Sequence, residues 1–150
     1  NTADNHKKIG EALQNMWQEQ LGVTVTLNNQ DWNVFLENRK QGNYQIARNG
    51  WIADYNDPCT FLDMWYTGGG NNDAQYSNPD YDAQIDAAKA TSDQAERMKA
   101  FHAAEDILIG EDNVLAPLYF YTQPYMLKEN IKGMYYTPLG YFFFAYATQE

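Results

Sequence analysis

Two hydrophobic periods alternate in the first third of this chain, and that alternation constrains its fold more than any other feature. Ile9, Leu13, Met16 and Trp17 recur at helical spacing behind Asp4 or Thr2 as cap, and Gly22 is placed to end the run. "VTVTL" then alternates β-branched residues and predicts a short strand. Asp31 is set to cap a second helix with Trp32, Phe35 and Leu36 on one face and Gly42 as its stop, and "YQIARNGWI" predicts the next strand. Helix, strand, helix, strand in that order is the pattern of right-handed crossovers, so the expectation is an α/β fold with a mostly parallel sheet flanked by helices.

Beyond "TGGGNNDAQYSN", which reads as a flexible turn, Asn78 and Pro79 form a favoured N-cap and first helical position, with Tyr81, Ile85 and Ala88 predicted to face inward. A further helix is expected to start around Asp93, with Glu96 at the capping-box position and Met98, Phe101, Glu105 and Leu108 leading to Gly110. In "VLAPLYFYTQPYM" Pro117 and Pro124 limit the segment to an edge strand or to a strand crossing between subdomains. "IKGMYYTPLGYFFFAYATQE" is aromatic and turn-rich without a helical period.

Composition narrows the partners. The 150 residues, 44% of them hydrophobic, suit one domain with a real core. A net charge of -10 repels phosphate backbones, which argues against nucleic acid and anionic membranes and favours cationic or zwitterionic partners. Twelve tyrosines and four tryptophans suit either a Tyr-rich core or a contact surface. Cys59 stands alone, so an intrachain disulfide and a cysteine zinc site are both excluded. The apolar tail falls far short of the ~20 residues of a membrane span.

Enzymatic signatures are weak. His6 and His102 belong to no metal motif, Cys59 has no evident base, and no nucleophile elbow or phosphate loop occurs. "DYNDPC" starts like a calcium loop but has Pro58 and Cys59 where a ligand and glycine are required. Asp54, Asp57 and Asp63 with Trp51 as a sugar platform keep open a carbohydrate receptor or glycoside-processing enzyme. For Asp57 beside Pro58 a turn or cap is the simpler role. Position weighs more heavily: Trp51 to Asp57 leave the carboxyl end of a predicted strand, where open α/β sheets bind ligands. A carboxylate at Asp54 beside the Trp51 indole is a receptor for an ammonium group, through charge-assisted hydrogen bonds and a cation-π face. A free amino terminus fits that description.

"GWIADYNDPCTFLDMW", "NTADNHKKIGEALQNMWQEQLGVTVTL", "QDWNVFLENRKQGNYQIAR", "NPDYDAQIDAA" and "APLYFYTQPYMLK" together resemble the C-terminal part of the oligopeptide-binding proteins of ABC importers, over nearly the whole chain. The pattern W-x-x-D-x-x-D-P is shared with dipeptide-binding relatives, and the fuller GW-x-ADYN-[DE]-P form is similar to the oligopeptide branch. The resemblance implies one lobe of a two-lobed extracytoplasmic receptor, periplasmic or lipid-anchored, that closes on an extended peptide and passes it to a membrane permease. It implies no enzyme activity and no cofactor. By the same resemblance Asp54 meets the peptide α-amino group, Trp51 lines a side-chain pocket, and the backbone of Gly50, Trp51, Ile52 and Ala53 pairs with the peptide as an added strand. Arg48 matches an arginine that meets the carboxylate of short peptides. Ile52 stands where the family often has cysteine, which changes pocket shape more than mechanism. Arg39 also matches a basic position but is expected to be solvated.

The opening on a helix cap and the surplus of rings near Phe142 to Phe144 lead us to expect further sequence at both ends. Residues 1–131 are read as the lobe, and 132–150 as an aromatic segment returning to an absent N-terminal lobe.

Overall fold

The structure is a computed structural model that describes residues 3–150, in two compact units, Asn1–Arg48 and Asn49–Glu150. In the first, α1 (Asp4–Leu21) places Asp4 in its opening turn, and Gly22 closes it in the left-handed conformation (φ 67°) that glycine adopts without cost. Ala3 takes the N-cap position. Thr2, the other expected cap, lies outside the described residues. The following segment runs back along the helix: Gln14 Nε2 donates to Val25 O at 2.6 Å, and Leu27 would touch a Cβ placed on Gly10. Helix α2 (Trp32–Lys40) follows Asp31, which takes the N-cap position without a side-chain cap bond. Trp32 stacks on Phe35 at 5.7 Å, and Arg39 lies over Phe35 at 5.6 Å.

No described residue of this unit is fully buried. Met16, Leu21 and Val34 on its helices are more than half exposed. These helices carry apolar faces without a layer to cover them.

The second unit owns the core. Short α3 (Cys59–Leu62) runs into a single tight turn, Asp63–Trp65. Helix α4 (Pro79–Ala90) begins as its sequence demands, with Asn78 Oδ1 accepting from the amides of Asp80 and Tyr81. Helix α5 (Gln94–Glu105) begins likewise, with Asp93 Oδ1 accepting from Ala95 and Glu96. It continues into a wide turn, Asp106–Glu111, closed by Asp112 N donating to Ile107 O. The two helices pack together through Tyr81, Ile85 and Ala88 from one side and Ala100, Phe101 and Ala104 from the other, with Leu108, Met64 and Trp65 completing the cluster. Burying Phe101 or Ile85 contributes about 1.5–3 kcal/mol each.

Among the described residues the strand pairs are antiparallel, and the segments from which sequence leads us to expect a mostly parallel sheet carry no ladder. Residues 23–27, 44–52 and 114–126 carry no strand assignment among the described residues. An extended segment becomes a strand only when a neighbour completes its ladder. The strands that form are four pairs of residues: β1 (Ile131–Lys132) antiparallel to β4 (Thr148–Gln149), and β2 (Tyr135–Tyr136) antiparallel to β3 (Phe142–Phe143). Tyr135 stacks on Phe143 at 4.8 Å across the second pair. Gly133 (φ 75°) is required here, because a Cβ would sit 1.9 Å from Tyr146 O.

Candidate functional site

The stretch Asn49 to Pro58 carries no regular secondary structure, so its shape depends on specific polar contacts. The side chain of Thr60, a residue of α3 that is 2% exposed, supplies three of them. Its Oγ1 accepts from Trp51 Nε1 at 3.3 Å and from Asp54 N at 3.2 Å, and it donates to Asp54 Oδ2 at 3.5 Å. Trp51 packs against the core, whereas Asp54 is exposed. Among the described residues Asp54 Oδ1 accepts no hydrogen bond.

Gly50 is exposed and its N–H donates to Asn49 Oδ1 at 2.8 Å. Ile52 is 79% exposed, and the amides of Trp51, Ile52 and Ala53 donate to no described residue. Ala53 borders an open depression of about 350 Å³ lined by Tyr55, Asn56, Asp57, Pro58 and Phe61, which Trp51 and Asp54 do not line. Arg48 closes the first unit and is half-buried there; with burial as the larger cause, its charge helps to hold His6 below the usual histidine range.

Asp57 is tied down. Its Oδ1 accepts from Cys59 N at 2.8 Å, which caps α3, and both oxygens receive Arg97 of α5 at 2.7 Å in a bidentate pair. The turn-and-cap role expected for Asp57 is what the contacts describe, with an ion pair added. Arg97 in turn lies 4.7 Å over the Phe101 ring. The hydrogen bonds from Arg97 hold the Asp57 carboxyl below its ordinary range against the opposing effect of burial. Burial, then a hydrogen bond with Cys59, pushes Tyr55 up to about 12, and burial raises the Cys59 thiol. A thiol held protonated is a poor nucleophile.

No group of three or more potential ligands among the described residues could hold a metal ion. No described helix is long and apolar enough to cross a membrane.

Thr60 and Arg97 were missed by sequence reasoning. Neither residue is singled out by type or spacing in the sequence. The available signal was the pattern N-D-P-x-T, in which an aspartate before proline precedes a helix start with a hydroxyl two positions on; it does not disclose which groups that hydroxyl reaches.

Comparison with known proteins yields a consistent set. Residues 1–73 match the family model described as bacterial extracellular solute-binding proteins, family 5, middle region. The oligopeptide-binding protein OppA of Bacillus subtilis is 40% identical over 145 residues, covering 96% of this chain and 26% of that protein. OppA of Haemophilus influenzae, solved in complex with RPPGFSPFR, superimposes with a TM-score of 0.80 at 38% identity, over 88% of this chain and 26% of its own. The substrate-binding domain of an oligopeptide ABC transporter from Bacillus anthracis gives a TM-score of 0.83 at 30% identity, over 99% of this chain and 29% of its own. The neighbours place the chain in the periplasmic-binding-protein fold. It spans about a quarter of the length of the relatives it matches.

Proposed function

Because the chain belongs to family 5 of the bacterial extracellular solute-binding proteins, we propose that it serves as part of the peptide-capturing component of an oligopeptide ABC import system. One observation carries the reading: Asp54 presents an exposed carboxylate, with Oδ1 unpaired among the described residues, beside a tryptophan tied to the same hydroxyl. That geometry suits a peptide α-ammonium group. The amides of Trp51, Ile52 and Ala53 are available to an extended peptide as an added strand, and Arg48 is assigned to the carboxylate of short peptides. Main-chain pairing and terminal charges are common to all peptides, so wide tolerance of side chains follows.

In the complete receptor, residues 23–27, 44–52 and 114–126 supply strands of a mostly parallel sheet whose other members lie outside this chain. Residues 1–131 form one lobe, and 132–150 return to the other. The receptor works outside the cytoplasm, without catalysis, and hands its cargo to a membrane permease. Relatives that are named as binding proteins support this reading over a carbohydrate-processing enzyme.

The test is calorimetric titration of the complete receptor with a tripeptide. Asp54→Asn should cost about 2–5 kcal/mol of binding, largely because the peptide ammonium is left unpaired. Asp57→Asn should cost far less, and N-acetylation of the tripeptide should reproduce the Asp54→Asn loss. Equal losses from the two substitutions, or indifference to acetylation, would refute the assignment.

A further inference from the structure

We propose that Thr60 is the positioning residue of the amino-terminus site, a single buried hydroxyl that sets Asp54 and Trp51 relative to each other before ligand arrives; the proposal rests on the peptide reading of Asp54. A threonine hydroxyl has one proton and two acceptor lone pairs. Here all three are used. Trp51 Nε1 and Asp54 N occupy the lone pairs, at 3.3 and 3.2 Å, which leaves the proton for Asp54 Oδ2 at 3.5 Å. The backbone and the carboxylate of Asp54 are thus held by one atom, and the indole by the same atom. Exposed carboxylates ordinarily rotate among staggered wells. This one has one oxygen facing the shared hydroxyl at 3.5 Å, a weak contact, while its main-chain amide is held by the same hydroxyl at 3.2 Å and its other oxygen accepts no hydrogen bond among the described residues.

The hydroxyl is itself immobile. Thr60 is 2% exposed and sits in α3, whose first amide, Cys59 N, is capped by Asp57. Asp57 is gripped by Arg97 from α5, and Arg97 stacks on the core residue Phe101. A continuous path of contacts therefore runs from the helical core to the proposed ammonium receptor. Sites held by packed supporting groups keep their geometry, and small misplacements are costly. The roles separate: Thr60 touches both residues assigned to the ligand and, at 2% exposure, has almost no surface with which to meet it itself.

The experiment uses the complete receptor and three substitutions. Thr60→Val keeps shape and removes the hydroxyl; it should weaken binding of a free-amine tripeptide about ten- to a hundredfold, while binding of the N-acetylated peptide changes by less than about threefold. Thr60→Ser keeps the hydroxyl and should restore free-amine binding to within about threefold of the parent. A Thr60→Val receptor that binds both peptides like the parent, or loses both equally, overturns the positioning role while leaving the peptide reading intact. An Asp54→Asn receptor that binds like the parent overturns the peptide reading itself. Should Thr60→Val not fold, Asp54→Ala decides: removal of the acceptor lets the shared hydroxyl turn, and the Trp51 indole N–H resonance should shift, whereas an unmoved indole would overturn the proposal.

Discussion

Replacing Asn72 should disrupt the glycine-rich loop far more than its sequence suggests. The side chain is 9% exposed and makes four hydrogen bonds: Nδ2 donates to Trp65 O at 3.3 Å, Tyr66 O at 3.1 Å and Tyr76 O at 2.7 Å, while Oδ1 accepts from Tyr76 N at 3.0 Å. An amide has only two N–H groups, so one is shared between two carbonyls and the bonds are unequal in strength. At about 0.5–1.5 kcal/mol net per bond, with the two shorter ones near the top and the two longer ones near the bottom, Asn72→Ala should cost about 2–4 kcal/mol. Asn72→Asp should cost more at neutral pH, since it aims a carboxylate at three carbonyl oxygens. Its folded-state proton affinity would be raised, so the extra penalty is present at high pH and shrinks as the pH falls below that raised value. Urea unfolding followed by tryptophan emission, with Trp65 in the core, reads the effect. With a slope of about 1–3 kcal/mol per molar, the Ala variant should unfold at least ~0.7 M earlier, and hydrogen exchange at the Tyr76 amide should lose protection. A midpoint within about 0.3 M of the parent, or an Asp variant as stable as the parent at pH 7, would refute the staple and return the loop to an unorganised turn.

Tyr81→Phe removes the hydrogen bond that the fully buried hydroxyl donates to Leu62 O and should cost about 1 kcal/mol with the fold intact, measured as a midpoint shift in urea. Gly133→Ala forces a Cβ into Tyr146 O at a positive φ, with strain of about 1–3 kcal/mol, and should abolish the β1–β4 pairing seen by amide exchange. Gly70→Ala, with open space around it, is the neutral control. The Asp57 carboxyl is depressed by Arg97, so its contribution to stability is complete above the ordinary carboxylate range and is lost as the pH falls through the lowered value. Urea midpoints followed downward from about pH 5 should therefore decline less steeply in Asp57→Asn than in the parent.

The legibility of this molecule divides along a physical line. Tyr81, Ile85 and Ala88 were readable as an inward face because a helix repeats its buried positions within a dozen residues, and Asn78, Pro79 and Asp93 announce their helix starts by local chemistry. The left-handed closure at Gly22 is local as well. The segments 23–27, 44–52 and 114–126 have the composition of strands, yet ladder formation depends on a neighbour that residue patterns do not supply. Asn72 illustrates the opposite failure. A run such as "TGGGNND" looks mobile to any local reading, and the order it has comes from one amide reaching the Trp65 and Tyr66 carbonyls before it and the Tyr76 carbonyl after it.

Asp54 and Asp57 show why a candidate site needs more than the right residue types. Both are aspartates of one short loop, and apart from the family resemblance their residue types distinguish them mainly through the proline that follows the second. In the structure Asp57 receives one guanidinium and one amide, and its side chain retains 24% of its exposure. A ligand ammonium would have to displace an arginine that is itself stacked on Phe101. Asp54 gives one oxygen to a neutral hydroxyl at 3.5 Å, a weak partner that a cation need not displace. The two carboxylates thus differ in what remains to be satisfied. The Asp57 carboxylate is saturated and organises the loop, whereas Asp54 retains an oxygen without a hydrogen bond among the described residues, and that difference supports its proposed role.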